Sequence, residues 1–589
     1  MLRPATAILG LCVLASCSSS GAPARPATTP ASITTPPAPS YGAAQIDAGL
    51  RAAWQKEGLV PAPRSDDATF LRRAWLDIVG NVPPLEATRA FLADTAPDKR
   101  AKLVDTLLAS PAYADHWTTY WDEVLMGRAA KNPVVVDRVA FRAWLHERLA
   151  TNTPWDRVVV ELVSATGQNG NGGPRKGPAM QLAGAEAPDD EPPLAGAGIN
   201  GAVNFALRFE QNPQDLGGTA SRIFLGVQIQ CAQCHDHKTE AWKQEDFRKF
   251  SSAFFHQKVA PVDRAKTPGI RRVALVDSAT PAPRYTKGAE LAPIARAKPT
   301  ALDGKNLDEG IQTRRALASW VTAKENPWFA KAYVNRMWGH FLGRGFVDPV
   351  DDIRPSNPAT APEVLDALAA DFAAHGFDPK RLVRIICATE AYGLAADGRA
   401  KVDPENKLWA RFHLVPLGPE ELLNALVRVT DLEDTAQRAG MANLESLRSV
   451  VVQKYAFLFD TDEEDDTPDY SGTISQALAL LNGALVAQGD RVLPGSTVAD
   501  VVRGPGDDRA KIETLALRVL GRAPTQAESD RWLAHVTDAK SAPARGEKSK
   551  DRTPLARLGR RAGTVSPKEA AYEDLMWAFL NASEFTFNH

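Results

Sequence analysis

Cysteine is scarce in this chain: five residues in 589, at positions 12, 17, 231, 234 and 387. So few thiols exclude a fold framed by disulfides. Charge of one sign is lacking too, because 69 Lys and Arg meet 71 Asp and Glu, for a net charge of −2. No global basic field exists to attract nucleic acid, so no nucleic-acid partner is expected. Past the N-terminus, no run approaches the ~18 consecutive apolar residues that span a bilayer. The signatures G-x-S-x-G, H-E-x-x-H and the P-loop are missing as well, which removes the commonest hydrolase and nucleotide-binding frames. What is present, 44% apolar and 24% charged residues, is the balance of a globular protein. The length calls for two or three units.

The N-terminus reads as a targeting segment. Arg3 gives a weak positive start, Ala5 to Val13 is a short apolar stretch, and Leu14-Ala15-Ser16-Cys17 looks like a bacterial lipobox. Cleavage before Cys17 and acylation of that residue would leave several acyl chains, enough for a stable membrane anchor. An ordinary signal peptide cut elsewhere is the alternative. Ser18 follows the cysteine where an Asp would suggest inner-membrane retention, so the expectation is a cell-envelope protein on the outer membrane. The stretch that follows is rich in Ser, Pro, Ala and Thr and cannot bury apolar area; it reads as a tether.

With Cys12 lost and Cys17 lipidated, and Cys387 inside the apolar run 382–387, only two thiols are left for chemistry. They lie in Cys231-Ala232-Gln233-Cys234-His235, followed by Asp236 and His237. C-x-x-C-H is the attachment frame of a c-type haem, with each thiol linked to a vinyl carbon and the His as axial iron ligand. His235 is the proximal candidate; Met337, His237, His256 and His340 are candidates for the far side. His237 is too close to His235 for both to reach one iron across a haem plane. A second reading gathers Cys231, Cys234, His235 and His237 as a zinc site, although adjacent Cys234 and His235 make a cramped chelate. A small Cys231–Cys234 disulfide is the third. Asp236, Glu240 and Asp246 are within reach to support either metal reading.

Helical periodicity dominates the rest. Phe70, Leu71, Ala74, Trp75 and Ile78 form one stripe that ends at Gly80, and Leu103, Val104, Leu107 and Leu108 another. Trp117, Tyr120, Trp121, Val124 and Leu125 form a third, whose aromatic content is more often core than cofactor contact. A loop without period covers 169–200, and the motif follows a helix over 215–225. One strand candidate, 272–276, lies in an irregular connector. Leu76–Leu92 and Leu517–Leu533 share helix–Gly–x–x–Pro–helix spacing, through Gly80 with Pro83 and Gly521 with Pro524. Asp460–Asp469 holds six acids without the spacing of an EF-hand, and reads as a solvated loop. The expected architecture is mainly α: two helical lobes joined by an irregular connector with at most short strands. Its parts are signal and anchor at 1–17, tether at 18–45, the motif-bearing lobe at 46–257, connector at 258–305 and second lobe at 306–589.

Several stretches together carry a family resemblance. Arg72-Arg73-Ala74-Trp75-Leu76-Asp77, Ala202-Val203-Asn204-Phe205, Phe224-Leu225-Gly226 through His237, and Trp242 to Phe247 make residues 66–256 resemble domain of unknown function 1549. Asn335-Arg336-Met337-Trp338-Gly339-His340, Gly343-Arg344-Gly345, Asp351-Asp352 and Ser475-Gln476-Ala477-Leu478 make 306–589 resemble domain of unknown function 1553. The resemblance implies an exported, cytochrome-associated protein of the planctomycete type and supplies no activity. The chain departs from it at Ala361, where the pattern has His before Pro-Glu, and at Lys238, where it has Pro.

These residues lead to a cell-envelope lipoprotein that carries haem c and handles electrons, with an unknown redox or protein partner. The alternative is a non-haem envelope scaffold with a Cys/His metal site or disulfide, binding a polymer or protein. A weaker third reading makes Asp351, Asp352 and Arg354 part of a glycan hydrolase cleft, although buried ion pairs between helices explain such clusters more often. No catalytic residue is assigned.

Overall fold

In a computed structural model, the residues described are 41–128, 132–172, 198–209, 212–262, 269–279, 292–396, 405–438, 491–539 and 565–589. The lipobox with Cys17, nearly all of the tether, most of the loop at 169–200, the acids at 460–469 and the stretch Ser475-Gln476-Ala477-Leu478 lie outside them.

The fold is mainly α, and local signals explain where its helices begin and end. Asp67–Val79 starts where Asp66 accepts a hydrogen bond from the Thr69 amide at 2.7 Å. It stops at Gly80, whose φ of +62° is left-handed. A Cβ at Gly80 would stand 2.2 Å from His116 Nδ1, so glycine here also makes room for a buried ring. The spacing echo is real in three dimensions: Gly521 has φ +77° and separates the helices Asp508–Val519 and Gln526–Thr537. The aromatic stripe lies on Pro111–Met126 and is core: Trp117 and Trp121 are buried, and Trp121 packs on Trp155 at 4.2 Å between centroids.

Strands are short. β1 (Gly167–Gln168), β2 (Gln257–Pro261) and β3 (Val273–Asp277) form an antiparallel sheet in the order β1–β3–β2, with Gln257 opposite Asp277. The strand expected at 272–276 is β3; its two partners carry no alternating pattern long enough to announce them. β4 (Val415–Pro416) pairs with β5 (Phe587–Asn588).

Two hydrophobic clusters hold the described residues together. The larger runs from Ile46 to Phe412 and includes Trp54, Trp338 and Trp409. The smaller runs from Leu417 to Phe585 and recruits Leu76 and Val82 from the first helical hairpin. Between them lies the Arg72–Asp77 stretch. Arg73 donates to the carbonyls of Tyr392, Leu394 and His589, and its guanidinium carbon lies 3.4 Å from the Phe412 ring centroid. Asp77 accepts from Tyr392 Oη at 2.8 Å and Asn588 Nδ2 at 2.6 Å. Arg72 donates to the Phe585 carbonyl at 2.6 Å. Burial pushes the Asp77 carboxyl up to about 7, against the pull of these donors.

Candidate functional site

The helix Pro213–Leu225 delivers the motif. Asn212 caps its start through the Gln214 amide at 3.0 Å, and it ends at Gly226, with φ +67°. The turn brings the Gly226 carbonyl within 2.7 Å of the Ile353 amide, and a Cβ at Gly226 would stand 2.7 Å from Ile353 Cδ1. Val227, Ile229 and Ala232 then point into the core. Because Ile229–Ala232 is a tight 3₁₀ turn, burying those side chains turns Cys231 and Cys234 outward. Both thiols are free and exposed.

The two histidines of the motif have different proton positions, fixed by their neighbours. His235 Nδ1 lies 2.7 Å from the Asp236 carbonyl oxygen, which only accepts. Nδ1 therefore carries the hydrogen, and in the neutral ring Nε2 keeps a lone pair for a metal. His237 Nδ1 receives the amides of Thr239 at 3.2 Å and Glu240 at 3.1 Å. It must be the bare nitrogen, so in the neutral ring His237 Nε2 carries the hydrogen. Metal binding at His237 Nε2 would require those two backbone bonds to be given up.

The loop is tied down from its C-terminal side. Gln244, first residue of the helix Gln244–Ser251, donates through Nε2 to the carbonyls of Gln233 at 3.0 Å and Cys234 at 2.8 Å. Its own amide donates to Asp236 Oδ1 at 2.9 Å. Buried Phe247 and Phe250 anchor that helix.

Across from the thiols stands the segment after the helix Phe329–Leu342. Asn335 shapes it, donating to the carbonyls of Val347 and Val350 at 2.8 Å each and accepting the Val347 amide at 2.9 Å. Asp351, 1% exposed, pairs through Oδ2 with Arg222 at 2.9 Å and Arg336 at 3.4 Å, while its Oδ1 is buried without a protein partner. Asp352 pairs with Arg354 at 3.1 Å, and burial raises its carboxyl above the ordinary range. Asp352 and Arg354 share with Cys231, His237, Glu240 and Trp242 a cavity of about 20 Å³, the room of about one water. Ser356 Oγ donates to Glu240.

Residues 45–259 match the family described as PSCyt2, protein of unknown function (DUF1549), and residues 313–536 match PSD1, protein of unknown function (DUF1553). The chain thus pairs a DUF1549 region with a DUF1553 region, each match confined to its own part of the sequence. No curated protein and no solved structure matches it. The DUF1549 region supplies the C-x-x-C-H loop, and the DUF1553 region supplies Asp351, Asp352 and Arg354 opposite it.

For a haem, the donor set fits: two outward thiols in sequence register and a His235 nitrogen free to ligate. Both thiols are exposed, so an attached haem would be reachable from solvent. Of the far-side candidates, Met337 is buried in the core and His340 Nε2 is 3.2 Å from the Asp77 carbonyl, while His256 Nδ1 is 3.0 Å from the Ser278 carbonyl, a contact of the same kind as that of His235 Nδ1. For zinc, no group of three or more His, Cys, Asp or Glu side chains is gathered to hold an ion among the described residues. Asp246 serves its own helix by accepting the Lys243 amide at 2.9 Å.

One cluster had no announcement in the sequence. His340 meets His116 at 6.0 Å and Trp117 at 4.9 Å between ring centroids, and Glu421 Oε1 lies 3.9 Å from His116 Nδ1. Burial drives His116 down to about 3 and His340 down to about 4. It drives Glu421 up to about 7 and, with the Glu123 and Glu421 charges adding, Glu420 up to about 8. His116 sits within the aromatic stripe; only its partners on distant helices make it part of a titratable cluster.

Proposed function

We propose that this chain is a cell-envelope lipoprotein, anchored through Cys17, that carries a c-type haem on Cys231 and Cys234 and exchanges electrons with a partner. The observation that carries the reading is the committed state of His235. Its Nδ1–H is spent on the Asp236 carbonyl, which leaves Nε2 available beside two free, exposed thiols.

A bound haem would supply one-electron chemistry. The chain's residues would do the rest. Cys231 and Cys234 would hold the group covalently, and the Asp236 carbonyl would orient His235 toward it. The exposure of both thiols supports electron exchange with another protein over sequestration of a substrate. Buried Ile229 and Ala232 fix the turn on which both thiols are exposed.

The polar character of the adjoining cavity favours a second reading, a non-haem scaffold with an oxidised Cys231–Cys234 pair or a bound zinc. Intact mass separates the two. Full-length chain made with cytochrome maturation machinery and extracted with acid–acetone is expected to keep one haem, and Cys231→Ser with Cys234→Ser to keep none. A wild-type mass without haem, either two hydrogens short after extraction or with zinc retained in native mass before it, overturns the haem reading in favour of the second. For the anchor, Cys17→Ser is expected to move the protein from the membrane to the soluble fraction; retention in the membrane contradicts it.

A further inference from the structure

We infer that Gln244 is a positioning residue for the motif, its side chain fixing the peptide that enters His235 and so the orientation of that ring; this rests on the haem reading above. Gln244 donates three hydrogen bonds, and all three go to the loop between Gln233 and Asp236. Both partners of its side chain are carbonyl oxygens, so the NH₂ end of the amide must face them. One of these carbonyls, that of Cys234, belongs to the peptide unit leading into His235. The Gln244 backbone amide holds the carboxylate of Asp236. The carbonyl of the same Asp236 takes the Nδ1–H of His235. One residue thus fixes the peptide entering His235 and the acceptor that orients its ring.

The arrangement is local, yet it comes from a separate element. Gln244 opens a helix held in the core by Phe247 and Phe250, so its side chain projects from a rigid base toward a turn that is otherwise exposed. Trp242 also helps, its carbonyl accepting the His237 amide at 2.8 Å and closing the loop between motif and helix. A carbonyl acceptor on the outer nitrogen of a ligating imidazole increases its electron donation and favours the oxidised metal. Without the side chain the Gln244 amide still holds Asp236, but the freed Cys234–His235 peptide lets the ring turn away from the Asp236 carbonyl, which favours the reduced state.

The test is a redox titration of matured full-length protein, with covalent haem measured by mass in the same samples. Gln244→Ala is expected to keep its haem and shift the ferric–ferrous equilibrium about tenfold toward ferrous, about 59 mV for one electron. Potentials of Gln244→Ala within twofold of the wild type, with haem attached, overturn the inference. If the wild type holds no haem, the haem reading fails by itself and the brace is read from ¹⁵N shifts of the apo-protein. His235 is then expected in the Nδ1–H form in the wild type and as a tautomer mixture in Gln244→Ala. An unchanged Nδ1–H form in that variant overturns the inference without haem.

Discussion

Two stretches that carried the same family resemblance behave in opposite ways. Arg72–Asp77 is buried, and its charged groups are turned inward onto the carbonyls of Tyr392, Leu394 and Phe585, the ring of Phe412 and the side chain of Asn588. Cys231–His237 is mostly exposed, its backbone is braced by Gln244, and both thiols and His235 Nε2 are left over. A stretch whose polar groups are consumed by its own fold is architecture. One whose backbone is fixed while its reactive atoms stay free has the form of a site.

That contrast breaks most readily at Arg73. Arg73→Ala leaves three carbonyls without their donor and removes the cation over Phe412, and is expected to cost about 3–5 kcal/mol in urea unfolding. A cost below that of an ordinary surface substitution would erase the distinction. Gly80→Ala ranks next. It combines left-handed strain with a Cβ 2.2 Å from His116 Nδ1, and is expected to cost about 2–3 kcal/mol by the same measurement. A neutral result would mean that His116 does not occupy the space beneath that turn.

The buried side is also expected to respond to pH. Glu421, pushed up to about 7 when folded, has an ordinary value of about 4.3 unfolded. The folded state therefore holds the extra proton between those values, so the contribution is complete at low pH and is lost as pH rises through 7. Its side chain is 28% exposed, so after discounting for solvent, Glu421→Gln is expected to be more stable than wild type by about 1 kcal/mol at pH 8. At pH 4 the two should coincide; the same difference at both values would locate the effect elsewhere. The smallest expected effect falls on the exposed side. Cys231→Ser in the apo-protein is expected to change unfolding free energy by less than about 0.5 kcal/mol. A large loss there would make the loop structural after all.

Much of the helical content was legible because a stripe at three and four residues reports a buried face wherever it lies. Phe70 to Ile78 gave Asp67–Val79 with its stop at Gly80, and the Trp117 stripe gave a core helix. Cys387, expected to be an inert core thiol, is buried, and its ionisation is suppressed accordingly. Asp351, expected in an ion pair between helices, has Arg222 and Arg336. The position of the C-x-x-C-H frame after a helix was legible from the stripe over 215–225 and Gly226. Its partners were not. Gln244 and Asp352 reach the loop by chain reversal, and His116 meets His340 across more than two hundred residues. Pairing at that distance leaves no periodicity in the sequence. The brief strands β1 and β2 were hidden for a related reason, since two to five residues cannot display an alternation.

The visible absorption spectrum of the full-length chain, matured with haem-attachment machinery, tests the central claim most directly. The account predicts a Soret band that survives acid–acetone extraction, persists in His237→Ala and changes in His235→Ala. A colourless wild-type protein under those conditions, or a spectrum that depends on His237 and ignores His235, would contradict it.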